Sequence, residues 1–218
     1  MNRYHNTRSH DEGQAATTAS NASNDARRLL RSLKGSLPEP VLRLVLVAIC
    51  GLPGTGKSFF SQRLAQQAPL AVPESDALRK VLVPSPLHTA EESARLFQAI
   101  HEAIDLLLGQ RVSVLLDATR LAEAHREHLY RLAERHNAKM MLVLVEAPPS
   151  VVRQRLETRG KTPLRQDHSD ADWDVYQRMR PLQEPIKRSH IAVDTSGDVE
   201  PVVEKIAREI QQWIRQGR

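Results

Sequence analysis

Gly51-Leu52-Pro53-Gly54-Thr55-Gly56-Lys57-Ser58 places three glycines, a lysine and a hydroxyl at fixed spacing between an apolar run and a helical pattern. Glycines at 51, 54 and 56 permit positive φ and let the backbone approach a ligand closely. The N–H groups freed at the start of the following helix, with the positive end of its dipole, form an anion cradle. In such a loop the lysine reaches the β- and γ-phosphates of a nucleoside triphosphate, and the serine hydroxyl ligates Mg²⁺. Pro53, Gly54, Thr55 and Gly56 complete the cradle. A glycine-rich turn that merely joins strand to helix is the weaker alternative, because every fixed position of the phosphate-loop pattern is filled. Residues 51–58 are therefore expected to bind ATP with Mg²⁺.

Acids that serve such a loop belong at the carboxyl ends of strands, and two are found there. Asp117 follows the apolar run 112–116, where a carboxylate orients Mg²⁺ or its waters. An Asp before a helix is also a common N-cap, so that reading stays open. Asp76 and Arg79 are three apart and share a helix face. The carboxylate could take the proton of an attacking hydroxyl while the guanidinium holds an anionic part of the acceptor. A capped helix with an internal ion pair fits the same spacing. Arg155 and Arg159 lie one turn apart at the end of a helix, where cations also complement the dipole. Arg153, Lys161, Arg165, Arg178 and Arg180 add more cations than capping requires. His125 and His128 could share a metal, but no third ligand with zincin spacing accompanies them.

These residues need a scaffold that brings strand ends together. The run 41–49 is nearly continuous and apolar, as a strand buried on both faces should be. Helices are expected over 58–67, 76–83, 91–108 (with Gly109 just past its end), 121–136, 150–159 and 202–214. Further strands are expected at 70–72, 112–116, 140–145 and 191–193. The stripe of the last helix is Val203, Ile206, Ile210 and Trp213. Strands alternating with helices after a phosphate loop predict a three-layer α/β fold with a parallel sheet. Residues 1–38 are polar and poor in aliphatics, which predicts a disordered tail before a domain over 39–218. Within that tail, 25–33 could form a short basic helix, either a docking arm or a solvated leader. A basic stretch of about 160–188 reads as a lid.

The chain has 218 residues, a net charge of +5, 4% aromatic residues and one cysteine. Cys50 excludes an internal disulfide and fits a reducing cytoplasm; its position predicts a small buried hydrophobe. No apolar run is long enough to span a membrane. No Asn-Lys-x-Asp motif supports a GTPase, and few aromatics are present to stack single-stranded nucleic acid.

The phosphate loop, Ser75-Asp76-x-x-Arg79, Asp117-Ala118-Thr119 with Arg126 downstream, and Arg155-x-x-x-Arg159-Gly160 resemble P-loop kinases related to polynucleotide 5′-hydroxyl kinase. Chloramphenicol phosphotransferase and zeta-toxin-type kinases are more distant relatives, and many members are called only AAA domain. The resemblance spans roughly 42–195. It implies an adenylate-kinase-like sheet of five strands in the order 2-3-1-4-5. It also implies Asp76 as general base, Arg79 as acceptor-binding cation, and Arg159 with Arg155 as lid arginines on the transferred phosphate. Thr195, after the last strand, would lie near the adenine. The expected function is ATP-dependent phosphoryl transfer to a hydroxyl acceptor, with a polynucleotide or nucleotide 5′-hydroxyl as candidate. The alternatives are an ATPase switch without an acceptor, or a kinase of a sugar or antibiotic hydroxyl. Neither a membrane nor an obligate protein partner is inferred.

Overall fold

A computed structural model describes residues 22–119, 122–161 and 171–217. The run that follows Pro40 becomes β1, Val45–Cys50, with all six residues buried. Alternate side chains serve different cores. Leu46, Ala48 and Cys50 join the apolar cluster on one face of the sheet, whereas Val45, Val47 and Ile49 join the cluster on the other. Burial on both faces is what makes the run continuous rather than alternating. Three further strands, β2 (Val114–Asp117), β3 (Lys139–Glu146) and β4 (Ile191–Asp194), complete the sheet. All neighbours are parallel, in the order β2-β1-β3-β4.

Five strands in the order 2-3-1-4-5 are therefore not what forms among the described residues. The segment expected as the second strand makes only isolated bridges, Ala71 to Val114 and Glu74 to Asp117. Its backbone explains the failure. Ala71 N–H donates to Ser113 O, and Ala71 O and Pro73 O accept from Leu115 and Asp117. Pro73 has no N–H, so the donor that should continue the ladder is missing.

The helices run α2 (Lys57–Gln67), α3 (Ser75–Leu82), α4 (Ala90–Gly109), α5 (Glu123–Arg135), α6 (Pro149–Lys161), α7 (Trp173–Met179) and α8 (Glu200–Arg215). They follow α1, which occupies 22–33. Residues of α1, α3, α4 and α5 fill the core on one face of the sheet, and residues of α2 and α8 the other. On α8 the buried stripe is Val203, Ile206, Ala207, Ile210 and Ile214. Trp213 is half-buried and donates from Nε1 to Leu44 O at 3.1 Å. Gly109 is the last residue of α4 rather than the residue beyond it, and Arg111 takes the left-handed turn at φ 64°.

Residues 22–38, expected as disordered tail, are instead largely part of the fold. Ala26 and Leu29 are fully buried in the same core as α3 and α4. Residues 1–21 and lid residues 162–170, including Arg165, lie outside the described residues. The described part of the segment expected as a lid carries α7 and a 3₁₀ turn, Arg180–Leu182. No described helix is long and apolar enough to cross a membrane.

Candidate functional site

The carboxyl ends of β1, β2, β3 and β4 lie side by side, with Ile49 opposite Asp117, Cys50 opposite Leu144 and Glu146 opposite Asp194. The loop from Gly51 to Gly56 leaves this edge and enters α2. Gly51 (φ 153°) has no room for a side chain: a Cβ there would sit 2.2 Å from Val145 O. Gly54 (φ 76°) is also crowded, with the Val152 Cγ1 and Leu156 Cγ side-chain atoms at 2.9 Å from such a Cβ. The loop is thus moulded between β3 and α6, and its glycines are required by space as well as by conformation.

Lys57 is buried and donates from Nζ to Leu52 O at 3.0 Å. That carbonyl also accepts from Thr55 Oγ1 at 2.8 Å. The Ser58 and Ser61 hydroxyls lie close enough to the Asp117 carboxylate to favour its charged form. Ser61, fully buried, bonds to Lys57 O at 2.9 Å. The sequence reading passed over Ser61; its place three residues after Ser58 and four after Lys57 is the signal that could have found it.

Asp117 is buried at the end of β2, and its Oδ2 has no partner. It does not cap the next helix, because α5 begins only at Glu123. Burial raises the Asp117 pKa, and Lys57 with the two serine hydroxyls pulls it back. Burial lowers the Lys57 pKa, and the charges of Asp117 and then Asp76 oppose that shift. Each charge therefore depends on the other's presence in a dry site.

Asp76 stands half-buried in the first turn of α3, and its field reaches both Lys57 and Asp117. The internal ion pair that spacing allowed is absent. Arg79, buried, donates from Nη2 to Ser93 Oγ at 3.4 Å, while its Nε and Nη1 have no partner. Two N–H-bearing atoms of a buried guanidinium without acceptors are donors that an anion can satisfy.

On the far side of the loop Arg155 is locked. Its Nη1 and Nη2 donate to Thr195 Oγ1 and O at 2.9 and 2.6 Å. Thr195 Oγ1 in turn donates to Thr55 O at 2.6 Å. Thr195, expected beside the adenine, thus ties β4, α6 and the phosphate loop together. Arg159 is positioned differently: its charge acts on Lys57, and its Nη2 donates to Ala171 O, just before α7. Tyr176 of α7 joins Leu52, Val152 and Leu156 in a small apolar cluster, so α7 packs directly on the loop.

Arg126 serves the scaffold. It is buried, pairs with Glu123 and donates to Pro185 O at 2.9 Å. Glu184 caps α5 by accepting from Glu123 N at 2.6 Å. Burial lifts the Cys50 pKa to about 11, so the thiol stays protonated, in keeping with a hydrophobic role. His125 and His128 join Phe97 and His101 in a stacked ring cluster. No group of three or more His, Cys, Asp or Glu converges as a metal site among the described residues.

Residues 46–186, more than half of the chain, match the family described as "AAA domain". No curated protein matches the sequence. Several solved structures share the fold. An unliganded sugar kinase from Janibacter sp. HTCC2649 is 18% identical over 77% of this chain and 95% of its own, with a TM-score of 0.57. Kti12 from Chaetomium thermophilum, in complex with ADP-AlF3, is 19% identical over 78% and 98%, with a TM-score of 0.61. The Mycobacterium tuberculosis APS kinase CysC, in complex with AMPPNP and APS, is 17% identical over 81% and 99%, with a TM-score of 0.56. At these identities the likeness is one of fold.

Proposed function

Because the chain belongs to the AAA domain family, we propose that it is a phosphotransferase moving the γ-phosphate of Mg-ATP to a hydroxyl acceptor. One observation carries this reading: the charges of Asp117, Asp76 and Arg159 all bear on the buried Lys57 of the loop, and Asp76 bears on Asp117, whose Oδ2 is partnerless. An ATP-binding scaffold alone needs no carboxylate on the acceptor side. Sugar and APS kinases with this fold agree with the reading.

Residues 51–58 would cradle the triphosphate, with Lys57 leaving Leu52 O for the β- and γ-phosphates. The Ser58 hydroxyl and the partnerless Asp117 Oδ2 fit a Mg²⁺ site, because that ion takes few protein oxygens and completes its shell with water and phosphate. When bound there, Mg²⁺ would supply positive charge against the negative charge that develops on the transferred phosphate. Asp76 accepts the acceptor's hydroxyl proton as that oxygen bonds to the γ-phosphorus. The bond to the bridging β,γ-oxygen breaks and ADP leaves. Lys57 and Arg159 hold the charge of the transferred group; an arginine there is worth roughly 10³–10⁵ in rate where measured. Arg155 with Thr195 fixes the loop from behind. Arg79 would seat an anionic part of the acceptor, which favours a nucleotide or polynucleotide 5′-hydroxyl over a neutral sugar.

The roles separate by mutation. Asp76→Asn is expected to bind AMPPNP as tightly as the native chain while losing transfer, and Lys57→Ala to lose both. Full transfer by Asp76→Asn would remove Asp76 from the role of base.

A further inference from the structure

α1 precedes the family-matched region, yet it grips the helix that carries Asp76 and Arg79. Arg28 Nη2 donates to Val81 O at 2.9 Å. Val81 belongs to the last turn of α3, where carbonyls lack intrahelical partners and the dipole is negative. Arg28 is thus a C-terminal cap supplied from far upstream in the sequence. Asp25 holds it, with its Oδ1 3.7 Å from Arg28 Nη1. Asp25 is itself fixed by a two-point ion pair with Arg95 of α4, at 2.6 and 2.9 Å. Ser23 adds a bond to Glu102, also on α4. Between these anchors Ala26 and Leu29 are fully buried, in one core with Leu78 and Leu82 of α3.

α3 is eight residues long and has no side-chain N-cap. The chain leading into it pairs with the sheet at the isolated Glu74–Asp117 bridge, and Leu78 and Leu82 pack into the core on that face. The Arg79–Ser93 bond to α4 is long, at 3.4 Å. A short helix with a bare amino end depends on its packing and its carboxyl cap to keep its orientation. Asp76 and Arg79 sit on that helix, so a tilt of α3 moves both relative to Lys57.

We propose that Arg28 is a positioning residue of the acceptor site, and that α1 clamps α3 at the distance from the phosphate loop that phosphoryl transfer requires. The functional half of this proposal rests on the reading of Asp76 and Arg79 given above; the clamp itself does not. Asp25 and Arg28 lie outside the region matched to the family, 46–186.

The full chain, Arg28→Ala and Arg28→Lys are compared by deuterium uptake without ligand. Arg28→Ala is expected to raise uptake at 75–82 by about tenfold in rate while 57–67 and 200–215 stay unchanged. Arg28→Lys, which keeps a cationic donor, is expected to recover most of the protection. In transfer of labelled γ-phosphate to a 5′-hydroxyl oligodeoxynucleotide, Arg28→Ala should raise KM for the oligonucleotide by about tenfold and leave KM for ATP within about twofold. Unchanged uptake at 75–82, or a rise spread equally over 57–67 and 200–215, overturns the clamp. Raised uptake at 75–82 with an unaltered oligonucleotide KM overturns the positioning role. If the unmodified chain transfers no label to the oligonucleotide, the polynucleotide reading of the acceptor fails, and uptake at 75–82 alone decides the clamp.

Discussion

Thr195→Val tests how the phosphate loop is held. The substitution keeps shape and backbone but removes the hydroxyl that joins three elements. Thr195 Oγ1 donates to Thr55 O at 2.6 Å and accepts from Arg155 Nη1 at 2.9 Å. Both Thr55 and Thr195 are 4% exposed, so water cannot easily replace the lost donor at the Thr55 carbonyl. Arg155 retains its 2.6 Å bond to Thr195 O, which limits the loss on that side. Leaving one buried carbonyl unpaired and weakening one guanidinium bond should cost about 2 kcal/mol. For a chain of this size that is a fall in Tm of roughly 4–8 °C. The loop would also lose its rear support at Gly56, where the space for a Cβ is bounded by Thr195 Oγ1 and Arg155 Nη1 at 3.2 and 3.4 Å. Calorimetry and titration with a fluorescent ATP analogue provide the assay, and we expect affinity to fall about tenfold, on the order of 1.4 kcal/mol. Thr195→Ser keeps the hydroxyl and should stay near the native values. Native Tm and affinity in Thr195→Val would refute the argument that this hydroxyl braces the loop.

Other perturbations probe separate parts of the site. Gly54→Ala forces a methyl to 2.9 Å from Val152 and Leu156 at φ 76°, and should abolish detectable ATP-analogue binding in the same titration. Asp117→Asn should remove most of the gain in ATP affinity produced by Mg²⁺, read as equal titrations with Mg²⁺ and with EDTA, because the orphan Oδ2 no longer carries charge. His101 tests the α4–α5 interface. Burial and then the nearby His128 and His125 lower its pKa to about 3. The unfolded chain therefore binds a proton near pH 6.5 while the folded chain does not, so stability is full above that pH. It should fall as pH drops toward 3, by up to about 1.4 kcal/mol per pH unit from this group. Urea unfolding of His101→Phe should show a shallower acid slope than the native chain.

What could be read from the sequence was whatever one segment settles by itself. The phosphate loop carries its conformation in Gly51, Gly54 and Gly56, and Asp117 follows an apolar run that could only be a buried strand. Pairings between distant segments could not be read this way. Pro73 stood in plain view, yet its effect on the sheet depends on which donor the neighbouring strand needs. α1 read as a docking arm or a solvated leader because the residues that hold Asp25 and Arg28, Arg95 and Val81, come from other helices. Thr195 had no local signal at all, since its partners come from the loop and from α6. The amino end of α5 was misplaced for the same reason: its cap is Glu184, from a segment far along the chain.

The central claim is that phosphate leaves the loop for a hydroxyl and not for water. The direct measurement is transfer of γ-labelled phosphate from ATP with Mg²⁺ across 5′-hydroxyl oligonucleotides, nucleotides, sugars and antibiotic hydroxyls. The account predicts a labelled product from an acceptor that also bears an anion, and none with Lys57→Ala. Release of labelled inorganic phosphate alone, at a rate no acceptor changes, would contradict it.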